Sequence, residues 1–349
     1  MGDAAAASPG DTVVKEASFY AKADDGKVRC SLCAHHCLIK PGGVGICGVR
    51  RNDGGTLFSL VYGRAIAEHV DPIEKKPLFH FLPGTTSFSI ATAGCNFRCR
   101  HCQNADISQL PHDQGAIAGR ALPPEQVVRR AREAGCASIS YTYTEPTIYF
   151  EYAYDTAVLA RAAGLRNVFV SNGYITAEPL RAVAPYLDAA NIDLKSSSDE
   201  FYKRICGARL QPVLDALRLY RELGVWLEVT TLVIPGENDS DEDLAGCAGF
   251  IAAELGREVP WHVSAFHPTY KLMERPRTPA ATLRRAVQLG RDAGLQHVYE
   301  GNLPGEGEET ACPACHRPVI SRIGFAVAAN RLREGACPHC GAAVAGVWS

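Results

Sequence analysis

Three cysteines fall within eight residues, Cys95, Cys99 and Cys102 in GCNFRCRHCQN, and they constrain this chain more than anything else in it. A C-x₃-C-x₂-C loop offers three thiolates, whereas a cubane iron–sulfur cluster has four irons to ligate. The fourth iron is left open to a small molecule, which points to reductive chemistry on a bound substrate rather than simple electron carriage. Three buried structural cysteines would be the plainer reading. The neighbours argue against it: Gly94 permits a tight exit from a preceding strand, and Asn96, Arg98, Arg100, Gln103 and Asn104 suit a site better than a core.

With 349 residues, the chain allows one barrel-sized domain with small appendages, or two medium domains. No apolar run approaches the ~18 residues that a membrane span needs. The start, MGDAAAASPGDTVV, lacks a basic stretch followed by an apolar one, so a secretory signal is not expected. Fourteen cysteines then argue for metal ligation in a reducing cytoplasm rather than for disulfides. The net charge of −2 gives no global attraction to nucleic acid. Its distribution is uneven: residues 26–52 carry Lys27, Arg29, Lys40, Arg50 and Arg51 with no acid, and residues 311–349 carry Arg317, Arg322, Arg331 and Arg333 against Glu334. Metal-bound thiolates would offset part of this surplus, which leaves a polyanionic substrate open without arguing for one.

The chain divides into a disordered tail over 1–25, a cysteine-rich module and its approach over 26–84, a β/α repeat region over 85–304 and a last cysteine module over 305–349. Strands are expected in SFSIATAG (87–94), ASISYTY (137–143), NVFVSNG (167–173), ANIDLKS (190–196), WLEVTTLVI (226–234) and WHVSAFH (261–267), each β-branched or aromatic and closing on turn or polar residues. Amphipathic stretches such as 124–135 and 177–187 lie between them. Six β/α units imply a parallel sheet with right-handed crossovers. A doubly wound open sheet competes. Polar residues at the C-terminal ends of all six strands favour a partial (β/α)₆ TIM-like barrel, because barrels build their sites there. A glycine-rich linker, GEGEE (305–309), precedes the last module.

That module reads CPAC and CPHCG, so Cys312, Cys315, Cys337 and Cys340 form two C-x₂-C knuckles. Four thiolates on two tight turns suit tetrahedral Zn²⁺ and leave no open position, as in a structural zinc ribbon. The first module holds Cys30, Cys33, Cys37 and Cys47, with His35 and His36 between them. These could wrap Zn²⁺ or a second cluster; spacing alone does not separate the two, and a structural knuckle near a terminus favours zinc. Cys136, Cys206 and Cys247 are isolated and read as small buried hydrophobes.

Asp193 and Lys195 stand two apart in ANIDLKS, on one face of a strand. They are either a structural ion pair or contacts to a charged ligand, and the strand-end position favours the ligand. Glu145, Asn172, Gly173 and His267 occupy equivalent strand ends, and their convergence on one rim is the argument for a site.

At this point the residues resemble a family. Cys95, Cys99 and Cys102 after the first strand of a β/α repeat are similar to the radical SAM superfamily, with His101 where an aromatic residue usually precedes the last cysteine. More narrowly, CSLCAHHC, GGVGICGVRRN, KPLFHFLPG, YTYTEPTIYFEY, NIDLK, TTLVIPGEND, HVSAFHPTYK and the terminal ribbon with GVW resemble the AmmeMemoRadiSam-system radical SAM enzymes. Those are similar to the activating enzymes of pyruvate formate-lyase. The resemblance implies a [4Fe–4S] cluster whose open iron chelates S-adenosyl-L-methionine. Reductive cleavage of the sulfonium yields a 5′-deoxyadenosyl radical that abstracts hydrogen from a substrate. It also implies that Glu145 contacts the methionyl amino group, with Asn172 and Gly173 in the next strand-end loop. Asp193 and Lys195 match the D-x-K pair that attends the methionine portion during catalysis, and His267 falls near the ribose.

A flavodoxin or ferredoxin is the implied electron donor, and companion proteins of the AmmeMemoRadiSam system are implied partners. The chain departs from the activating enzymes in carrying Thr144-Glu145-Pro146 where they commonly have GGE, and it lacks the ferredoxin-like insert that some carry. The substrate stays open between a glycyl-radical enzyme, a nucleobase in RNA and a small metabolite. A zinc-containing nucleic-acid-binding protein without catalysis is the reading from another class, and it predicts colourless protein.

Overall fold

The computed structural model describes residues 14–303 and 309–349. Its centre is an eight-stranded sheet, formed by β1 (Ala67–Pro72), β2 (Thr86–Ala91), β3 (Ser138–Tyr141), β4 (Arg166–Ser171), β5 (Ala189–Asp193), β6 (Trp226–Val233), β7 (Trp261–Ala265) and β8 (Val298–Gly301). β1 pairs antiparallel with β2, and every later pairing is parallel. The spatial order follows the chain order without reversal. A doubly wound sheet reverses at a switch point, so this singly wound order belongs to a partial barrel.

Six helices form the crossovers: α1 (Pro124–Glu133), α2 (Phe150–Ala162), α3 (Ala177–Val183), α4 (Leu210–Glu222), α5 (Asp241–Phe250) and α6 (Ala280–Asp292). Local sequence sets their starts. Pro124 takes the first position of α1, where its missing N–H costs nothing. At α5 the Ser240 hydroxyl accepts from Asp243 N–H, and Asp241, Glu242 and Asp243 place negative charge at the positive end of the helix. All six expected strands form. β8 was not expected: VYEG is a four-residue edge strand without a clear alternation. Among the described residues no helix is long and apolar enough to cross a membrane.

Alternation decides what faces the lumen. Asn191 and Asp193 on β5, Glu228 and Thr230 on β6, His262 on β7 and Tyr299 on β8 share one face by register. The segment KKPLFHFL threads between these strands as a plug. Asn191 Nδ2 donates to the Pro77 carbonyl at 2.8 Å, and the amides of Phe79 and His80 donate to the Glu228 carboxylate at 3.0 and 2.8 Å. The C-terminal tail follows the plug in, as Leu82 and Val347 exchange backbone bonds with Val347 and His80 at 2.7 Å. The lower lumen is therefore solid, and the cavity above it rests on Lys75, Lys76 and Pro77.

The expected tail is corrected from Val14 onwards. Lys15–Glu16 pairs with Thr56–Ser59, and Tyr20–Lys22 pairs with Val28–Cys30, because these short segments gain their order from tertiary partners. Residues 1–13 of that tail, and the expected linker apart from Glu309, lie outside the described residues. The N-terminal cysteine module shares one hydrophobic core with the barrel. Arg50, fully enclosed, ties it to α2 through Glu151 at 3.0 Å. The C-terminal module forms a three-stranded antiparallel sheet of Thr310–Ala311, Pro318–Ile323 and Ala326–Asn330.

Candidate active site

The loop that leaves β2 carries Cys95, Cys99 and Cys102. Gly94 turns it with φ +102°, and a Cβ there would stand 2.7 Å from Val49 Cγ1 and 3.0 Å from the Cys47 carbonyl, so only glycine fits. Backbone bonds from Arg98 and Arg100 to the carbonyls of Cys206 and Ile205, at 2.8 and 2.9 Å, fix its course. Phe97 N–H donates to Cys95 Sγ at 3.3 Å, and Cys102 Sγ lies 3.1 Å from the Ser108 hydroxyl. Cys206 is buried, as expected for an isolated cysteine, but its thiol sits against Cys99.

The three thiols open onto a cavity of about 420 Å³ at the C-terminal ends of the strands. Asn172, Asp193 and Lys195 line the same cavity, as do His101, Asn104 and Thr142. Among the described residues, no fourth cysteine lines it. Lys195 Nζ pairs with Asp193 at 2.7 Å, with the lysine side chain 14% exposed and the aspartate 36%. Burial opposes the Lys195 charge, but Asp193 and the neighbouring thiols outweigh it and hold the ammonium well above its ordinary pKa. In the cavity wall, the buried His101 Nδ1 has no protein partner. Burial holds His101 neutral, with its pKa pushed down to about 3.

Other expected residues stand elsewhere. Glu145 does not line the cavity. It is buried behind the wall, where it accepts from Thr147 N–H at 2.9 Å, the Thr147 hydroxyl at 2.6 Å, the Ser171 hydroxyl at 2.8 Å and Asn172 N–H at 2.8 Å. Its carboxylate thus orients the Asn172 turn, whose side-chain Nδ2 reaches Asn96 Oδ1 at 2.8 Å. Gly173 holds the same turn with φ +71°; a Cβ would meet Ile192 Cγ2 at 2.8 Å. His267 is exposed and is not brought to the cavity, where Asn302 lines the rim beyond β8 instead.

Sequence reading also missed the floor. Lys76 Nζ lies 2.6 Å from Asp71, which Tyr143 OH also contacts, and 4.5 Å from the centre of the Tyr143 ring. Burial pushes the Lys76 amine down to about 8 despite Asp71. The doubled lysine before an apolar run was the available signal. Phe325, half exposed at the tip of the C-terminal hairpin, reaches the cavity from outside the barrel, and nothing local in its sequence announced that.

The donor set fits an iron–sulfur cluster. Among the described residues, only Cys312, Cys315, Cys337 and Cys340 bring three or more ligand atoms within 4.8 Å of one another. Cys95, Cys99 and Cys102 are not gathered in this way, and three thiols opening on one cavity would leave the fourth iron of a cubane free for a ligand.

Comparison with known proteins agrees. The radical SAM superfamily profile matches residues 89–248. Those residues form a radical SAM domain. An uncharacterized protein of Methanocaldococcus jannaschii is 51% identical over 313 residues, covering 89% of this chain and 92% of that protein. The pyruvate formate-lyase 1-activating enzyme of Escherichia coli is 22% identical over 214 residues, covering 59% of this chain and 86% of the enzyme. A radical SAM methyltransferase from Sphaerobacter thermophilus shares the fold, with TM-score 0.51 at 17% identity, over 83% of this chain and 77% of that one. This radical SAM protein is therefore an enzyme that uses a [4Fe–4S] cluster and S-adenosylmethionine to generate a 5′-deoxyadenosyl radical.

Proposed function

We propose that Cys95, Cys99 and Cys102 hold the cluster and that the radical abstracts hydrogen from a segment of another protein presented at the cavity mouth. The observation that carries this is the cavity itself. At about 420 Å³ it is of the size of a single cofactor site, and its floor is closed by the plug. A substrate must then approach from the open side, past Asn302 and Phe325, as a narrow end of something larger. The resemblance to activating enzymes, with the pyruvate formate-lyase 1-activating enzyme among the relatives, supports a protein in that role.

The chain's own residues divide the work. Lys195, charged and fixed by Asp193, offers an ammonium to the carboxylate end of the cofactor, and Asp193 keeps an exposed carboxylate edge for its amino end. Glu145 acts through Asn172 as a positioning residue. The walls keep water from a reactive carbon centre. Cys312, Cys315, Cys337 and Cys340, with Sγ atoms paired at 3.6 and 3.7 Å, would take a structural zinc ion. A flavodoxin or ferredoxin in a reducing cytoplasm suits the low potential that the cleavage requires.

Anaerobic reconstitution with iron, sulfide and dithionite should release 5′-deoxyadenosine and methionine in equal amounts. Frozen cells of a deletion strain should lack a stable protein radical that the parent shows by electron paramagnetic resonance. Loss of a modified nucleoside instead, with protein radicals unchanged, would overturn the protein reading in favour of RNA.

A further inference from the structure

The two cysteine quartets present the same four ligands at different spacings. The C-terminal thiols gather within 4.8 Å, close to the sulfur separation that tetrahedral zinc imposes at a Zn–S length of about 2.3 Å. Among the described residues no three of the N-terminal thiols do so. Cys30 N–H bonds the Cys37 carbonyl at 2.9 Å, and a Cβ on Gly45 would stand 3.7 Å from Cys37 Sγ and 3.8 Å from Cys47 Sγ. Like Cys95, Cys99 and Cys102, these thiols are not gathered as a single tetrahedral ion would gather them.

We propose that Cys30, Cys33, Cys37 and Cys47 hold a second iron–sulfur cluster that relays single electrons to the cluster at Cys95, Cys99 and Cys102. This rests on the assignment of the latter three under the proposed function. Contact between the two loops is direct. His35, from inside the quartet, lies with Nε2 2.7 Å from the Asn96 carbonyl, and its ring packs on Tyr174 at 4.8 Å, which packs on Phe97 at 5.1 Å. The Cys47 carbonyl is one of the two atoms, with Val49 Cγ1, that bar a side chain at Gly94, next to Cys95. The outer side is accessible. Cys33 and Cys37 are half-buried, and Leu38, Val44 and Ile46 around them are 49%, 52% and 39% exposed. Ile46 N–H donates to Cys37 Sγ at 3.5 Å, the type of bond that raises a cluster's potential and eases its reduction.

The transfer balances. A reduced one-electron carrier protein gives one electron to the quartet and is left oxidised by one. That electron passes to the three-cysteine cluster and into the sulfonium, breaking its bond to the 5′ carbon. Methionine and the 5′-deoxyadenosyl radical result, and no proton moves.

Metal analysis of anaerobically prepared full-length protein tests the site without any variant. More than about four irons with one zinc per chain is expected, since one cubane accounts for four; about four irons with two zincs would overturn the proposal. Cys33→Ser/Cys37→Ser should lose the iron above four and keep its zinc. Loss of a zinc, or of neither metal, would count against the site. In the same variant the ratio of flavodoxin-driven to dithionite-driven 5′-deoxyadenosine release should fall at least tenfold, and an unchanged ratio would overturn the relay. Cys99→Ala separates the two assignments: it should keep the quartet's iron while losing cofactor cleavage. If it lost no iron and kept cleavage, the proposed function itself would fail.

Discussion

At the floor of the barrel, the Glu228 carboxylate accepts from the amides of Phe79 and His80 and from Trp226 Nε1 at 3.1 Å, and meets His262 Nε2 at 2.7 Å. At the rim, His101 Nδ1 is buried in the cavity wall without a protein partner, and Asp193 keeps a third of its surface open beside Lys195. A buried charge is tolerated when its neighbours saturate it. Polar atoms left unsatisfied around a cavity are costly in the empty protein and are offset only when a ligand arrives. Floor and rim thus use the same residue types for different ends: the floor holds the plug in the lumen, and the rim waits for a cofactor. Substitutions at the floor should cost stability, and substitutions at the rim should cost chemistry.

The largest effect should come from the rim. Cys99→Ala removes one of three iron ligands, so 5′-deoxyadenosine release should drop to background in an anaerobic assay, with the urea midpoint little changed. The floor should answer in the opposite sense. Glu228→Ala leaves the Phe79 and His80 amides and His262 without their acceptor, at a cost of roughly 3–5 kcal/mol. Chemical denaturation should report that loss, while cleavage per iron-loaded folded molecule stays near the wild-type value. Equal losses of stability in both variants would erase the distinction between the two ends.

Much of the rim was legible in the sequence. The six strands announce themselves as β-branched runs, and Asp193 and Lys195 meet because strand alternation places residues two apart on one face. Which strand-end residue actually reaches the cavity depends on the loop beyond it. Glu145 turns inward to cap its own loop, and His267 turns outward, so equivalent positions in the pattern have unlike fates. The Glu228 cluster of the floor was not legible. His80 lies in an apolar stretch before the barrel, and its acceptor Glu228 sits 148 positions away inside an apolar strand. Only closure of the barrel gives that glutamate a reason. Phe325 is a similar case, a hairpin tip whose role is set by where its module docks.

Acid should weaken the floor selectively. His80 is fully enclosed between Tyr299 and the Ala345 carbonyl, and burial pushes its pKa down to about 4; His297 beside it is pushed down to about 3. Burial would raise the Glu228 carboxyl, yet His262, His80 and the Phe79 amide hold it down to about 2. In the unfolded chain a histidine takes its proton near pH 6.5, so the folded state binds fewer protons below that value. The His80 contribution is complete above pH 6.5 and is lost as pH falls towards 4. Between pH 7 and 5 this amounts to about 2 kcal/mol for one group. The unfolding free energy of the wild type from urea denaturation should fall by that much more than that of His80→Asn over the same interval. Parallel curves would remove His80 from the argument.

The smallest effect should come from Lys195→Ala, and it sharpens the comparison most. Lys195 is largely enclosed, but Asp193 keeps 36% of its side chain exposed and stays hydrated when its partner is removed, so the loss should move the urea midpoint little. If the ammonium meets the cofactor carboxylate, removing it costs one charge-assisted hydrogen bond, of order 1.5–3 kcal/mol, or a tenfold or greater loss of affinity. Equilibrium binding of S-adenosylmethionine to the iron-loaded variant measures this directly. Lys195→Arg should restore part of the affinity, since the charge remains while its geometry changes. Unchanged affinity with a lowered midpoint would move Lys195 to the structural side, and the rim would then resemble the floor in being held together by its own charges.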